Sequence, residues 1–158
     1  NPSGIPTGVE PGAIVIIGWR QRPPVGDFGN FVQYGTTAAD RARGLANTDS
    51  GFWSTNAWVS TLTSGPLAWD GTPHVIANVY TAAEQTQLWI DGSPRAFRTA
   101  TLNTATGPGT KFEVGSRLGG GRFGGFRVME IEVYDHAPTD AEWRQIMVHA
   151  RIAHGVYP

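Results

Sequence analysis

Three acidic side chains lie close together toward the end of the 158-residue chain, at Glu130, Glu132 and Asp135. Glycosidases use carboxyl groups in pairs, one as the acid and the other as the base or nucleophile. In an extended strand, residues two positions apart point to the same face, with Cβ atoms about 6.6–7 Å apart. Glu130 and Glu132 therefore have a spacing compatible with a glycosidase pair.

The segment FRVMEIEVYD around these glutamates alternates in the way that a strand with one buried face does. One face carries Arg127, Met129, Ile131, Val133 and Asp135, and its centre is apolar. The opposite face carries Phe126, Val128, Glu130, Glu132 and Tyr134. The alternation predicts that both glutamates point away from the core, toward solvent or into a cleft.

A catalytic strand of this kind is found in retaining β-glucanases of the laminarinase type, which are β-sandwiches. Their pattern is Glu-x-Asp-x-Glu or Glu-x-Asp-x-x-Glu, with the last Glu as acid/base. In this sequence the last position holds Tyr134 or Asp135 instead. Because the terminal glutamate is missing, we predict no catalytic residues and interpret the protein as not an enzyme.

The four histidines of the chain are the next candidates for chemistry: His74, His136, His149 and His154. His149 and His154 are five positions apart, about 140° around a helix, so they are expected not to converge. No H-E-x-x-H spacing is present. The histidines are therefore interpreted as surface or edge residues, and no metal ligand is assigned.

Calcium is a second metal to consider, because it binds hard oxygen ligands. Acidic and amide side chains fall in predicted loops at Asp27, Asn30, Asp40, Asn47, Asp49 and Asp70. None has EF-hand spacing, and turn formation explains such residues equally well. No cofactor is predicted. A structural Ca²⁺ at the rim of the sandwich is kept as an alternative, without assigned ligands.

Four residues are candidates for ligand binding. Trp53 and Trp58 lie in a Ser/Thr/Asn-rich segment, where an exposed indole would form an apolar platform for a sugar ring. Arg117 and Arg122 lie around a glycine-rich loop and could hold acidic sugars through bidentate contacts. Tryptophan as core filler is the alternative for the first pair.

The composition excludes several classes of partner. The net charge of −1, without a basic stripe, argues against nucleic acid. No run of about 18 apolar residues is present, so no membrane insertion is expected. The chain starts with Asn and not Met, and we expect it to be a processed protein or a piece of a longer one.

The order of elements predicts an all-β fold. Strand-like segments recur every 8–12 residues or so, which is typical of an antiparallel sandwich. They lie at 13–22, 31–35, 52–63, 74–81, 85–92, 94–102, 110–116 and 126–135. For residues 36–51 the sequence does not decide between a helical turn and a strand edge. The Pro/Gly-rich segment 1–12 is interpreted as an arm or linker, and 13–158 as a single domain.

In the C-terminal segment the apolar residues recur with the spacing of a helix and not of a strand. Thr139 and Glu142 form a capping-box pattern, and apolar residues then recur at helical spacing. We predict one helix at about 139–153, with Trp143, Ile146 and Met147 packed on a sheet. Gly155 is placed to end it.

The ordered motifs WDGTPHVIANVY (69–80), LWIDG (88–92), FEVG (112–115) and FGGFRVMEIEVYDHAPTDAE (123–142) carry a resemblance to a known family. They resemble LamG-like, concanavalin A-like jelly-roll domains over about residues 69–143. Glu132-Val133 and Pro138-Thr139 depart from the family pattern. The resemblance implies a two-sheet jelly roll, a binding role toward glycans or proteins, and often calcium at the rim.

Three functions remain as hypotheses at this point. The first is a non-catalytic recognition or adhesion module that binds carbohydrate, on a virion (phage tail or capsid surface) or a bacterial surface protein. The second is a structural or decorating domain whose partner is a protein subunit of a larger assembly. The third is a glycoside hydrolase of the concanavalin-like class, which the incomplete carboxylate set disfavours. An extracellular or virion-surface location is expected.

Overall fold

The structure is a computed structural model that describes residues 6–20, 29–38, 42–47, 53–55, 62–63, 71–81, 85–99, 103–104, 110–115 and 126–157. Within these ranges the strands are, in chain order, β1 (Gly12–Arg20), β2 (Gly29–Gly35), β3 (Ala42–Asn47), β4 (Trp53–Thr55), β5 (Leu62–Thr63), β6 (His74–Tyr80), β7 (Gln85–Ile90), β8 (Ser93–Thr99), β9 (Lys111–Val114) and β10 (Phe126–Tyr134). The helix α1 (Asp140–His154) follows the last strand.

These strands form two antiparallel sheets. The first has the order β10-β1-β6-β7-β8, and the second has the order β5-β4-β3-β2-β9. The predicted antiparallel two-sheet sandwich with one C-terminal helix is confirmed. In the stretch left open at 36–51, residues 42–47 form strand β3. Within the described ranges, no helix has the length and apolar character needed to span a bilayer.

Strand β1 is an interior strand of the first sheet, between β10 and β6, and is buried on both faces, as its continuous apolar run predicts. Ile14 and Ile16 point between the two sheets, where they join a core with Phe31, Tyr34 and Leu45. The alternate residues of the strand point to the outer face, where α1 covers them. These are Ala13, Val15 and Ile17.

Helix α1 ends where the sequence predicts. The Thr139 side chain accepts a hydrogen bond from the backbone of Glu142, whose carboxylate accepts one from the Thr139 backbone. Gly155 adopts φ 68°, a left-handed C-cap.

The helix packs on the first sheet through one apolar face. Its buried residues are Trp143, Ile146 and Ala150, and Met147 packs beside them. The Trp143 ring stacks on the Trp89 ring, with 4.7 Å between the ring centroids. The predicted helix packing is confirmed.

The described part of the segment interpreted as an arm is docked on the domain. Gly8 and Thr104 form an antiparallel bridge. The buried Arg43 donates from Nε to the Thr104 hydroxyl at 2.6 Å and from Nη2 to the Glu10 carbonyl at 2.5 Å. Its guanidinium also lies 4.9 Å from the centre of the Tyr80 ring. Burial lowers the pKa of Arg43 to about 10.

The turn between β7 and β8 has the predicted Asp-Gly conformation. Asp91 and Gly92 both have positive φ, at 51° and 73°, as a type I′ turn requires. The Asp91 carboxylate accepts a hydrogen bond from the backbone of Val75 at 3.0 Å and lies 2.7 Å from Nδ1 of His74. This aspartate therefore joins the turn to strand β6.

Candidate functional site

The outer face of edge strand β10 carries the two glutamates. Glu130 pairs with Ile17 and Glu132 with Val15, both on the face that α1 covers. Ile131, between them, packs into the core on the other face. The prediction that the glutamates point away from the inter-sheet core is confirmed, and the cleft they face is the groove beside α1.

Glu132 is held by a residue of its own strand. The Tyr134 hydroxyl donates a hydrogen bond to the Glu132 carboxylate. Burial, followed by this hydrogen bond, raises the pKa of Tyr134 above its ordinary range. Both residues line a cavity of about 230 Å³ between β10 and α1, together with Glu142, Gln145, Ile146 and His149.

Glu130 is held by the helix. Its Oε2 lies 2.8 Å from Nε2 of His149 and 2.7 Å from Nε2 of His154. These hydrogen bonds lower the pKa of Glu130, and the same contact raises the pKa of His149. One carboxylate oxygen therefore connects the edge strand to two imidazoles of α1.

The expectation that His149 and His154 diverge is wrong. Their rings meet edge to face with centroids 5.6 Å apart, and the three polar atoms of the cluster lie within 4.8 Å of one another. The 140° separation applies to the helix positions, whereas the imidazoles reach around the helix end toward Glu130. Two imidazoles and a carboxylate are a donor set that can hold a metal ion.

The third acidic residue of the opening group is separate from this cluster. The Asp135 side chain is 77% exposed and lies 2.8 Å from Nδ1 of His136. The other nitrogen of His136 lies 2.8 Å from the capping residue Glu142. Hydrogen bonds from Thr139 and His136 lower the pKa of Glu142 to about 2. This group stabilises the start of α1.

The chemistry open to Glu130 and Glu132 is limited by these partners. Each carboxylate is engaged by side chains of the protein, and α1 packs over the same face of the sheet. A glycosidase pair must instead flank a bound sugar from both sides. The arrangement is better suited to binding a cation or joining two elements than to cleaving a glycosidic bond.

The side chains of the four predicted binding residues all lie outside the described part of the structure. Trp53 begins strand β4 of the second sheet, but its side chain lies outside the described residues. Trp58, Arg117 and Arg122 also lie outside them. Their role in binding stays a prediction.

Two of the residues considered as calcium ligands, and expected in loops, are in strands. Asn30 belongs to β2 and is fully buried, and Asn47 belongs to β3. The register of the pairing between β2 and β3 shifts between Asn30 and Val32, and the sequence analysis does not predict this irregularity. Asp27, Asp40, Asp49 and Asp70 lie outside the described residues.

Comparison with known proteins identifies the fold class. No protein-family model and no curated protein sequence matches the chain. Among solved structures, the CBM40 module of Ruminococcus gnavus IT-sialidase bound to α2,3-sialyllactose aligns with a TM-score of 0.69 and 18% identity. The alignment covers 89% of this chain and 84% of the module. The same module bound to α2,6-sialyllactose aligns at 0.66, with 20% identity and the same coverage of both chains.

A complete enzyme contains a similar domain. Trypanosoma rangeli sialidase aligns with a TM-score of 0.68 and 17% identity over 90% of this chain, but only 23% of the sialidase is covered. The chain thus spans about a quarter of that enzyme. At these identities the shared property is the fold, and it is the two-sheet jelly-roll sandwich that the sequence predicts.

Proposed function

We propose that the protein is a non-catalytic carbohydrate-binding module. The observation that carries this proposal is the sandwich shared with CBM40 over 89% of the chain, since two of the aligned structures hold sialyllactose. The carboxylates of β10 support it, because they are engaged by Tyr134, His149 and His154 and not displayed as a pair.

The sugar would bind on the second sheet or its loop rim, since α1 covers the outer face of the first sheet. Strand β4, which Trp53 begins, belongs to the second sheet. Trp53 or Trp58 would supply the apolar platform for a sugar ring. Arg117 and Arg122 would bind the carboxylate of an acidic sugar through paired N–H donors.

The test is calorimetric titration with 3′-sialyllactose, 6′-sialyllactose and neutral lactose. We expect both sialylated sugars to bind at micromolar to millimolar concentration, and lactose to bind more weakly. At least one of the variants Trp53→Ala and Trp58→Ala should abolish binding of all three sugars. At least one of Arg117→Gln and Arg122→Gln should remove the preference for the sialylated sugars.

Matched control variants are available on the first sheet. Phe97→Ala and Arg98→Gln change an exposed aromatic residue and an exposed arginine of strand β8, and both should bind as the wild type does. If no sialylated or neutral glycan on an array binds at millimolar concentration, or if all four site variants bind unchanged, the proposal is wrong.

The proposed lack of catalysis has its own assay. Incubation with β-glucans and with sialyllactose should release neither reducing ends nor free sialic acid. Release that disappears in Glu130→Gln, at unchanged thermal stability, would restore the glycoside-hydrolase hypothesis.

The finer proposal is a LamG-like adhesion domain displayed on a virion or a bacterial surface. The alternative is a decorating domain that binds a protein subunit of a larger assembly, and one observation favours it. Large apolar side chains are exposed on and after the helix, at Val148, Ile152 and Tyr157. A groove of about 540 Å³ lies between this helix and the β7–β8 turn. This alternative would be supported if no glycan on an array binds and the protein binds purified subunits of such an assembly.

A further inference from the structure

Two histidines of α1 and one glutamate of β10 converge on a single point near the C-terminal end of the helix. The Oε2 atom of Glu130 is within 2.8 Å of both Nε2 atoms, and all three atoms lie within 4.8 Å of one another. The side chains are partly accessible, with 31% exposure for Glu130, 48% for His149 and 18% for His154. An ion could therefore reach the cluster from solvent.

The backbone on both sides fixes this convergence. The pairing of β10 with β1 shifts by one residue just before Glu130, because Ile17 pairs with Glu130 and Gly18 with Val128. Such bulges re-aim side chains, and they are common beside functional sites. On the other side, His154 is the last residue of α1, and the left-handed Gly155 ends the helix there. The ligand atoms thus come from two elements that the fold holds in place.

We propose that Glu130, His149 and His154 form a binding site for a divalent transition-metal ion, with Zn²⁺ as the reference ion. Imidazole with carboxylate is a donor set for zinc and related ions, whereas Ca²⁺ and Mg²⁺ prefer oxygen ligands. Three protein ligands leave the fourth tetrahedral position to water. The bound ion would cross-link the end of α1 to β10, the edge strand of the first sheet.

The two distances from Glu130 to the histidines are close to those that such an ion needs. Zinc binds imidazole nitrogen and carboxylate oxygen at about 2.0–2.2 Å, so tetrahedral ligand atoms lie roughly 3.3 Å apart. The hydrogen-bonded contacts of 2.7 and 2.8 Å would open by about half an ångström as the ion replaces the protons between them. A second carboxylate, Glu132, lines the adjoining cavity with His149 and adds negative charge near the site.

The experiment starts from the full chain, stripped with EDTA and dialysed, and titrates ZnCl₂ by calorimetry. We expect one Zn²⁺ per chain, and a melting temperature that rises with Zn²⁺ concentration but not with Mg²⁺. His149→Ala, His154→Ala and Glu130→Gln should each weaken Zn²⁺ binding at least tenfold. Each should also remove the Zn²⁺-dependent rise in melting temperature.

The matched control is His136→Ala. This substitution removes a histidine that also contacts two carboxylates, Asp135 and Glu142, outside the cluster. It should leave Zn²⁺ stoichiometry and affinity unchanged. Far-UV circular dichroism of each metal-free variant checks folding. If His154→Ala fails to fold, Glu130→Gln and His149→Ala decide the matter, because both side chains are more accessible than that of His154.

Three results would overturn the proposal. They are the absence of 1:1 Zn²⁺ binding to the wild type, equal binding by the folded cluster variants, and equal loss in His136→Ala. Any of them would identify the cluster as a hydrogen-bonded network only. The outcome is independent of glycan binding, which is proposed for the second sheet.

Discussion

Arg43 is a buried cation that is surrounded mainly by neutral oxygen atoms. It donates to the Thr104 hydroxyl and to the carbonyls of Glu10 and Gly8, and its guanidinium lies over Tyr80. These contacts connect strand β3 to the N-terminal segment and to residue 104, which are far apart in sequence. A single side chain therefore joins three parts of the chain.

Replacing Arg43 by Ala should lower the free energy of unfolding by about 1.5–3 kcal/mol, the range for hydrogen bonds to charged groups. The loss arises because the buried Thr104 hydroxyl and the carbonyls of Glu10 and Gly8 lose the hydrogen bonds that Arg43 donates. Urea denaturation measures it. Arg98→Ala, at an exposed position of β8, should stay within about 0.5 kcal/mol of the wild type. Equal effects of the two substitutions would contradict this role for Arg43.

His136 gives the protein a pH-dependent contribution to stability. Hydrogen bonds to Asp135 and Glu142 raise its pKa, and the Tyr134 ring lies edge-on at 6.0 Å. A histidine with a raised folded pKa contributes fully below its unfolded pKa of about 6.5. The contribution is lost as pH rises through the folded value.

Urea midpoints of the wild type and of His136→Asn between pH 5.5 and 9 test this sign. The advantage of the wild type should be largest at the acid end and should shrink as the pH rises. Comparing the two proteins at each pH cancels the titration of the other histidines. An advantage that grows toward pH 9 would show that the sign is wrong.

At the scale of elements, helix α1 packs on the first sheet through Trp143, together with Ile146 and Ala150. The ring is buried and stacked on Trp89 with an angle of 9° between the planes. Trp143→Ala should cost about 3–5 kcal/mol in unfolding free energy, because it leaves a cavity beneath the helix. Val148→Ala, on the exposed side of α1, is the control and should change the melting curve little. An unchanged curve for Trp143→Ala would mean that the helix docks elsewhere.

The start of α1 depends on its capping box. Thr139→Ala removes the acceptor for the backbone N–H of Glu142, and such changes cost about 0.5–2 kcal/mol. Thermal denaturation should show this loss, and Thr99→Ala, an exposed threonine in β8, should not. Equal stability of the two variants would mean that the cap contributes little to the fold.

At the scale of the whole molecule, the features predicted from the sequence are those with local signals. The capping box, the Asp91-Gly92 turn and the alternation around Ile131 each act within a few residues. The structure has the first two. It has the third at Ile131, which packs into the core, but Met129 of the same predicted apolar face is 37% exposed. The undecided stretch that became β3 has no such signal, because ARGLAN mixes small, charged and apolar residues.

The candidate metal cluster was missed for a different physical reason. Angular spacing on a helix describes where side chains leave the axis and not how far an imidazole reaches. The contact also needed Glu130, whose position follows from a strand bulge and from sheet pairing. A histidine pair at the end of a helix, with an outward glutamate on the preceding strand, is the signal that could have suggested it.

The place of β1 in the first sheet has a consequence for how the chain folds. This strand, among the first residues of the chain, lies between β6 and β10, and Ala13 pairs with Tyr134. Pairing across such a long sequence separation is slow, because loop-closure entropy must be overcome before the contacts form. We expect refolding in milliseconds to seconds, measured by stopped-flow tryptophan fluorescence. A chain cut after residue 125 would leave β1 with an open apolar edge, and during synthesis that edge stays unpaired until β10 leaves the ribosome.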